Sequence, residues 1–144
     1  MTTIYLIRHA EAEGNIYRRY HGWYNSLITL NGYRQIQALE KRFEGVRIDA
    51  VYSSDLFRTM TTAGALYKSR GLELHTDPGL REIGGGVWED KTWGWLHREN
   101  EGALDAFNRA DPAWQVEGSE TFGGVQMRVT HAIRRIAAAH PGQT

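Results

Sequence analysis

The chain contains no cysteine. That excludes disulfides, thiolate metal sites and a cysteine nucleophile, and it fits a reducing, cytoplasmic setting. An excess of one charge is also lacking: 17 basic and 17 acidic side chains give a formal net charge of zero over 144 residues. A broad nucleic-acid or membrane-surface patch is therefore not expected. No apolar run is long enough to span a bilayer. The first residues enter a strand-like stretch without the basic and apolar regions of a signal peptide. Lysine is scarce, with 3 against 14 arginines. Guanidinium suits bidentate oxyanion binding, although genome composition produces the same bias.

The length fits a single domain over residues 1–144. Ile4 to Ile7 is a continuous apolar run and predicts a strand buried on both faces. Thr29 is placed to cap a helix in which Tyr33, Ile36, Leu39 and Phe43 recur at helical spacing, with Gly45 as its stop. "IDAVYSS" (48–54) predicts a second strand. Asp55 is then placed to cap a helix striped by Leu56, Met60, Ala63 and Tyr67, with Gly71 at its end. "LELHTD" (72–77) alternates as a third, short strand, closed by Pro78-Gly79. Residues 84–102 are rich in Gly and Trp and give no clear period. A short helix is expected over 103–109, and a long one from near Glu120 to His140.

The order β-α-β-α-β followed by helices predicts an α/β fold: a three-layer αβα sandwich around a mostly parallel sheet. In such sheets the loops leaving the C-terminal strand ends line the ligand crevice. Those loops bring Arg8, His9, Arg58 and Glu82 toward one edge. Two arginines suit a phosphate, and a neutral histidine is a competent nucleophile toward phosphorus. A backbone carbonyl accepting one ring N–H would fix its tautomer. Glu82 is the candidate to protonate the leaving oxygen. Nothing in this set demands a metal or a cofactor. Each residue alone has a plain structural explanation, and only their joint placement points to catalysis.

Several ordered stretches resemble the histidine phosphatase superfamily, the phosphoglycerate mutase-like proteins. They are "LIRHAEAEGN" (6–15), "RRYHGWYNSLITLNG" (18–32), "VYSSDLFRTMTTA" (51–63), "LREIGGGVWED" (80–90) and "SETFGGVQMRV" (119–129). The resemblance implies that His9 is the nucleophile that becomes phosphohistidine. It implies that Arg8, Asn15 and Arg58 bind the phosphate, and that Glu82 is proton donor and then base for water. His21 and Gly22 fall where relatives line the substrate pocket. The context of "REIGGGVWED" and the short stretch before Ser119 are closest to the small broad-specificity phosphatases, which implies hydrolysis of a small phosphorylated metabolite. A phosphoglycerate mutase-type transfer is the alternative. A homodimer is compatible with the sequence.

Ala10, Leu27, Asp55 and Asp90 depart from the family pattern. Ala10 would cost about 1 kcal/mol if its position needed a positive φ; the other three are expected to matter little. Relatives follow the last helix with a strand ending in Ser-His-Gly, whose histidine completes the phosphate pocket. This sequence reads "AHPGQT" there. The expectation is a chain that lacks its C-terminal part, or else an inactive truncated relative. Two further classes have footholds. His9, Glu11 and Glu13 with His21 have permissive metal-ligand spacing. "YRRYHGWY" (17–24) interleaves aromatics with arginines as single-stranded nucleic-acid platforms do. The Trp88, Trp93 and Trp95 group is expected to pack locally.

Overall fold

A computed structural model describes residues 1–144. Helix α1 (Glu13–Ile16) is a single turn, and α2 (Leu30–Arg42) follows. Strand β1 (Val51–Ser53), helix α3 (Phe57–Tyr67) and strand β2 (Leu74–Thr76) form a β-α-β unit. Helices α4 (Trp93–Glu99), α5 (Glu101–Asn108) and α6 (Phe122–Ala139) complete the chain. β1 and β2 pair in parallel, with Val51 opposite Leu74 and Ser53 opposite Thr76. The α/β class and the parallel sheet are as the sequence predicts.

Local chemistry explains the helix starts. The Thr29 hydroxyl accepts from the Gly32 N–H, and Thr121 does the same for Gly124. Each satisfies one of the orphan donors of a helix N-terminus. Gly45 and Gly71 both take positive φ after their helices, as their placement predicts. Asp55 does not cap α3. Leu56 holds that position without a side-chain bond, and the Asp55 carboxylate instead receives Arg81, Nε to Oδ1 at 2.6 Å and a second guanidinium nitrogen to Oδ2 at 2.5 Å. A bidentate guanidinium outweighs one N-cap bond.

Three apolar clusters hold the structure, the smallest being Ala10, Ala12 and Ile28 with Ile36 against it. Phe43, Val51, Ala63 and Leu66 pack α2 and α3 against β1. Tyr20, Ile83, Trp88, Leu96, Leu104 and Trp114 form the second, beneath α4 and α5. Trp88 is fully buried at its centre, edge-on to Tyr20, Phe107 and Trp114. The tryptophan-rich stretch without a clear period is thus a packing core, and it contains α4.

One strand expectation is corrected. Ile4 to Ile7 is not hydrogen-bonded into the sheet, and Leu6 is 79% exposed. A continuous apolar run signals burial on both faces only where strands flank it. Here the run borders an apolar slot of about 600 Å³. Val51 of β1 lines its other side, with Leu66 of α3 and Ile133 of α6 among the walls. The last two residues join the slot's edges: Thr3 N–H donates to the Gln143 carbonyl at 2.9 Å, and Asp49 N–H to that of Thr144 at 2.8 Å. The slot meets a second cleft at Arg8 and His9, which line both. No helix is long and apolar enough to cross a membrane.

Candidate active site

The second cleft measures about 460 Å³ and lies beyond the C-terminal end of the 4–9 segment. Its walls include Arg8, His9, Asn15, His21, Arg58 and Glu82. Six of the seven residues singled out from the sequence therefore share one cleft. Gly22 is the exception and sits behind the wall: its N–H donates to Glu89 at 3.1 Å, and its carbonyl accepts from Arg58 at 2.8 Å. A side chain there would overlap the Ile83 carbonyl, so glycine serves close backbone packing.

His9 Nδ1 lies 2.7 Å from the Ala10 carbonyl. A carbonyl can only accept, so Nδ1 carries the proton and Nε2 keeps its lone pair. Ala10 N–H donates to Thr62 Oγ1 at 2.9 Å, and that hydroxyl donates to the Arg58 carbonyl at 2.7 Å. Helix α3 thereby fixes the histidine segment and carries Arg58 together. Burial lowers the His9 pKa below the ordinary imidazole value. The bond to Ala10 opposes this, while the Arg58 and Arg8 charges reinforce it. Ala10 is not among the residues with positive φ, so the departure from glycine there carries no backbone cost.

Arg58 is buried, with its Nη atoms donating to the carbonyls of His21, Gly22 and Tyr24 at 2.8–3.0 Å. Its Nε has no partner. That atom is itself closed off from solvent, so Arg58 offers the cleft it lines a fixed positive charge rather than a free donor. Arg8 is exposed. Asn15 spends its Oδ1 on the Ala12 N–H at 2.9 Å, which closes the turn of α1. The His21 ring stacks on Tyr24 with centroids 4.4 Å apart. Its Nε2 meets Asp90 Oδ1 at 3.1 Å, and its Nδ1 has no partner.

Asp90 departs from the family's glycine and takes φ +61°. A non-glycine residue there costs about 1 kcal/mol. Its carboxylate, itself partly exposed, meets His21 at 3.1 Å and Arg19 at 3.4 Å. Gly14 packs against the His21 ring so closely that a Cβ would overlap Nδ1. Gly14→Ala is expected to destabilise the protein by about 1–3 kcal/mol through overpacking, read in a thermal melt, despite alanine's better helix propensity.

Three residues outside the sequence-derived set organise this cleft. The Glu89 carboxylate accepts four backbone N–H groups: Trp23 and Gly85 on Oε1, both at 2.8 Å, and Gly22 and Tyr24 on Oε2 at 3.1 and 2.9 Å. Arg128 and Glu120, both in matched motifs, bind the segment that carries Glu82. Burial pushes the Glu120 carboxyl up, but hydrogen bonds from Arg128 and the Gly84 N–H outweigh it and hold it below the ordinary carboxylate value. The carboxylates of the metal-cluster alternative make hydrogen bonds within the protein. Glu11 is engaged by Thr29 and Asn31, Glu13 accepts from Leu27 N–H, and no three metal-binding side chains gather anywhere. Within "YRRYHGWY", Arg18, Arg19, Tyr20 and His21 line the cleft, with Tyr20 buried in the aromatic core.

Fold and cleft together define an α/β protein whose histidine and arginines line a small-molecule-sized opening. The sequence profile of the histidine phosphatase superfamily (branch 1) matches residues 4–144, and the chain belongs to that superfamily. A Proteus mirabilis protein named "Probable phosphoglycerate mutase GpmB" is 31% identical over 96% of this chain and 64% of its own length. The chain thus spans just under two thirds of that relative. YhfR of Bacillus stearothermophilus superposes with a TM-score of 0.94 at 35% identity, over 99% of this chain and 70% of that one. The alpha-ribazole phosphatase of Shigella flexneri gives a TM-score of 0.83 at 28% identity, over 92% and 66%. A mycobacterial glucosyl-3-phosphoglycerate phosphatase solved with VO3 gives 0.85 at 27%, over 92% and 66%. Phosphatases and mutase-like proteins are its relatives.

Proposed function

We propose that the protein hydrolyses small phosphate monoesters through a phosphohistidine at His9. The observation that carries this is the His9 ring, pinned through Nδ1 so that a bare Nε2 shares a cleft with Arg8, Arg58 and Glu82. The Nε2 lone pair attacks phosphorus, and the P–O bond to the leaving alcohol breaks as Glu82 gives its proton to that oxygen. Glu82 then takes a proton from water, whose oxygen attacks phosphorus. The P–N bond breaks, its electrons return to Nε2, and inorganic phosphate departs. Arg58 and Arg8 neutralise the charge on the transferring group; Asn15 and His21 line the same cleft. Positioning and charge compensation supply most of the catalysis in such a transfer.

Replacing Glu82 by Gln tests the assignment. An alkyl ester such as glycerol phosphate is expected to lose about 10²–10⁴-fold in turnover, and p-nitrophenyl phosphate less than tenfold, because its leaving group needs no proton. Equal losses reject Glu82 as the acid. The names of the curated relatives favour mutase-type transfer as a second reading. It requires the phosphoryl group to return to a retained product, so a bisphosphate primer would accelerate 3-phosphoglycerate isomerisation. Stoichiometric release of inorganic phosphate supports the hydrolase.

A further inference from the structure

We infer that Arg128 of α6, held by Glu120, is the positioning residue for Glu82; this rests on the proton-donor role proposed above. Glu82 is itself exposed, beside buried Ile83 and Gly84, and its own side chain makes only a local bond, Oε1 accepting from Ile83 N–H at 3.1 Å. Its place in the cleft is therefore set by its backbone. Beside the Tyr20 hydroxyl on the Ile83 carbonyl at 3.1 Å and the Arg81–Asp55 pair, one guanidinium makes more of the long-range bonds to that backbone than any other side chain. Arg128 Nη1 donates to the carbonyls of Gly79 and Arg81 at 3.1 and 2.7 Å, and Nη2 donates to that of Glu82 at 2.9 Å. The same Nη2 and Nε grip the Glu120 carboxylate, each at 2.7 Å. Glu120 in turn accepts from Gly84 N–H at 2.9 Å.

The segment 79–84 is thus tied at four of its six residues to a single ion pair, across 36–49 positions of sequence. Trp23 Nε1 adds a second bond to the Glu82 carbonyl at 2.9 Å, and the Arg81 guanidinium lies over the Trp23 ring. Trp23, however, lies outside any helix or strand and is itself 43% exposed, whereas Arg128 springs from an 18-residue helix. Arginine suits this duty because its planar fork serves five acceptors in fixed directions, which an ammonium cannot. Groups that orient a catalytic side chain from behind commonly change rates by about 10–100-fold when removed.

Arg128→Met, in the full chain, is expected to lower turnover of glycerol phosphate by about 10–100-fold and of p-nitrophenyl phosphate by less than about threefold. Arg128→Lys should recover part of the difference. In the Glu82→Gln background the same Met substitution should add less than about twofold, since it acts through Glu82. Arg128→Met paired with Glu120→Met removes both charges together and guards against a misfolded single variant. Equal losses on both esters, or full additivity with Glu82→Gln, overturn the positioning role. Failure of the proton-donor role looks different: Glu82→Gln then treats both esters alike. A chain that hydrolyses neither ester overturns both.

Discussion

His9→Ala is expected to abolish turnover of p-nitrophenyl phosphate, by more than about a thousandfold, while the fold is kept. Loss of a nucleophile cannot be compensated by the arginines, which bind charge but form no bond to phosphorus. The His9 ring is only half-buried, and its structural bond runs to the adjacent residue. The melting temperature should therefore change little. Brief exposure to labelled substrate should leave an acid-labile, base-stable phosphoryl group on the unaltered chain and none on the variant. Normal turnover by His9→Ala sinks the mechanism.

The same histidine sets the acid limb of the pH profile. Burial holds its pKa below the ordinary value, about 6.5. The attacking form is neutral, so lowering the pKa extends activity toward acid. The acid limb of kcat/KM, which reports the free enzyme, is expected to bend below about pH 6.5. Stability follows the same sign. The unfolded chain takes up the His9 proton first as pH falls through its ordinary value, so the His9 contribution weakens toward acid.

The cleft was legible from the sequence because its residues stand at the ends of recognisable elements. His9 follows an apolar run, Arg58 lies one residue inside α3, and Glu82 follows β2 by a short turn. The motifs carried their identities, and the parallel topology carried their convergence. What could not be read was how the loops are tied to each other. Glu89 accepts from residues 65 to 67 positions away, and nothing local to "VWED" marks it as an acceptor rather than a solvated carboxylate. Arg128 lies in a matched helix, yet its targets are backbone carbonyls, which have no sequence signature. The Ile4–Ile7 run failed for the opposite reason. Its composition is that of an interior strand, but burial depends on what lies alongside.

These ties also divide labour between two carboxylate-centred hubs. Arg128 with Glu120 holds the stretch bearing the proposed acid. Glu89 and Arg58 hold residues 21–24 from opposite sides, one through N–H groups and the other through carbonyls. The consequence is that Arg58 is oriented by a loop whose shape Glu89 dictates. Removing Glu89 should disturb phosphate binding although Glu89 does not line the cleft.

Glu89→Ala is accordingly expected to cost about 2–4 kcal/mol of stability and to weaken inorganic phosphate binding at least about fivefold. Four N–H groups lose one acceptor. Those of Trp23 and Tyr24 are exposed and recover water, whereas those of Gly22 and Gly85 are part-buried and do not, at about 1–3 kcal/mol each. Glu89→Gln should not rescue. Its one oxygen can serve two of the donors, while its NH2 group turns donors toward the other two. Thermal denaturation gives the stability change, and titration calorimetry with phosphate gives the affinity. A general loosening would lower stability alone; loss of the Arg58 cradle would lower phosphate affinity at temperatures well below the melt. Wild-type phosphate affinity in folded Glu89→Gln would show that Arg58 holds its place without the loop, and that the two sides of residues 21–24 are energetically independent.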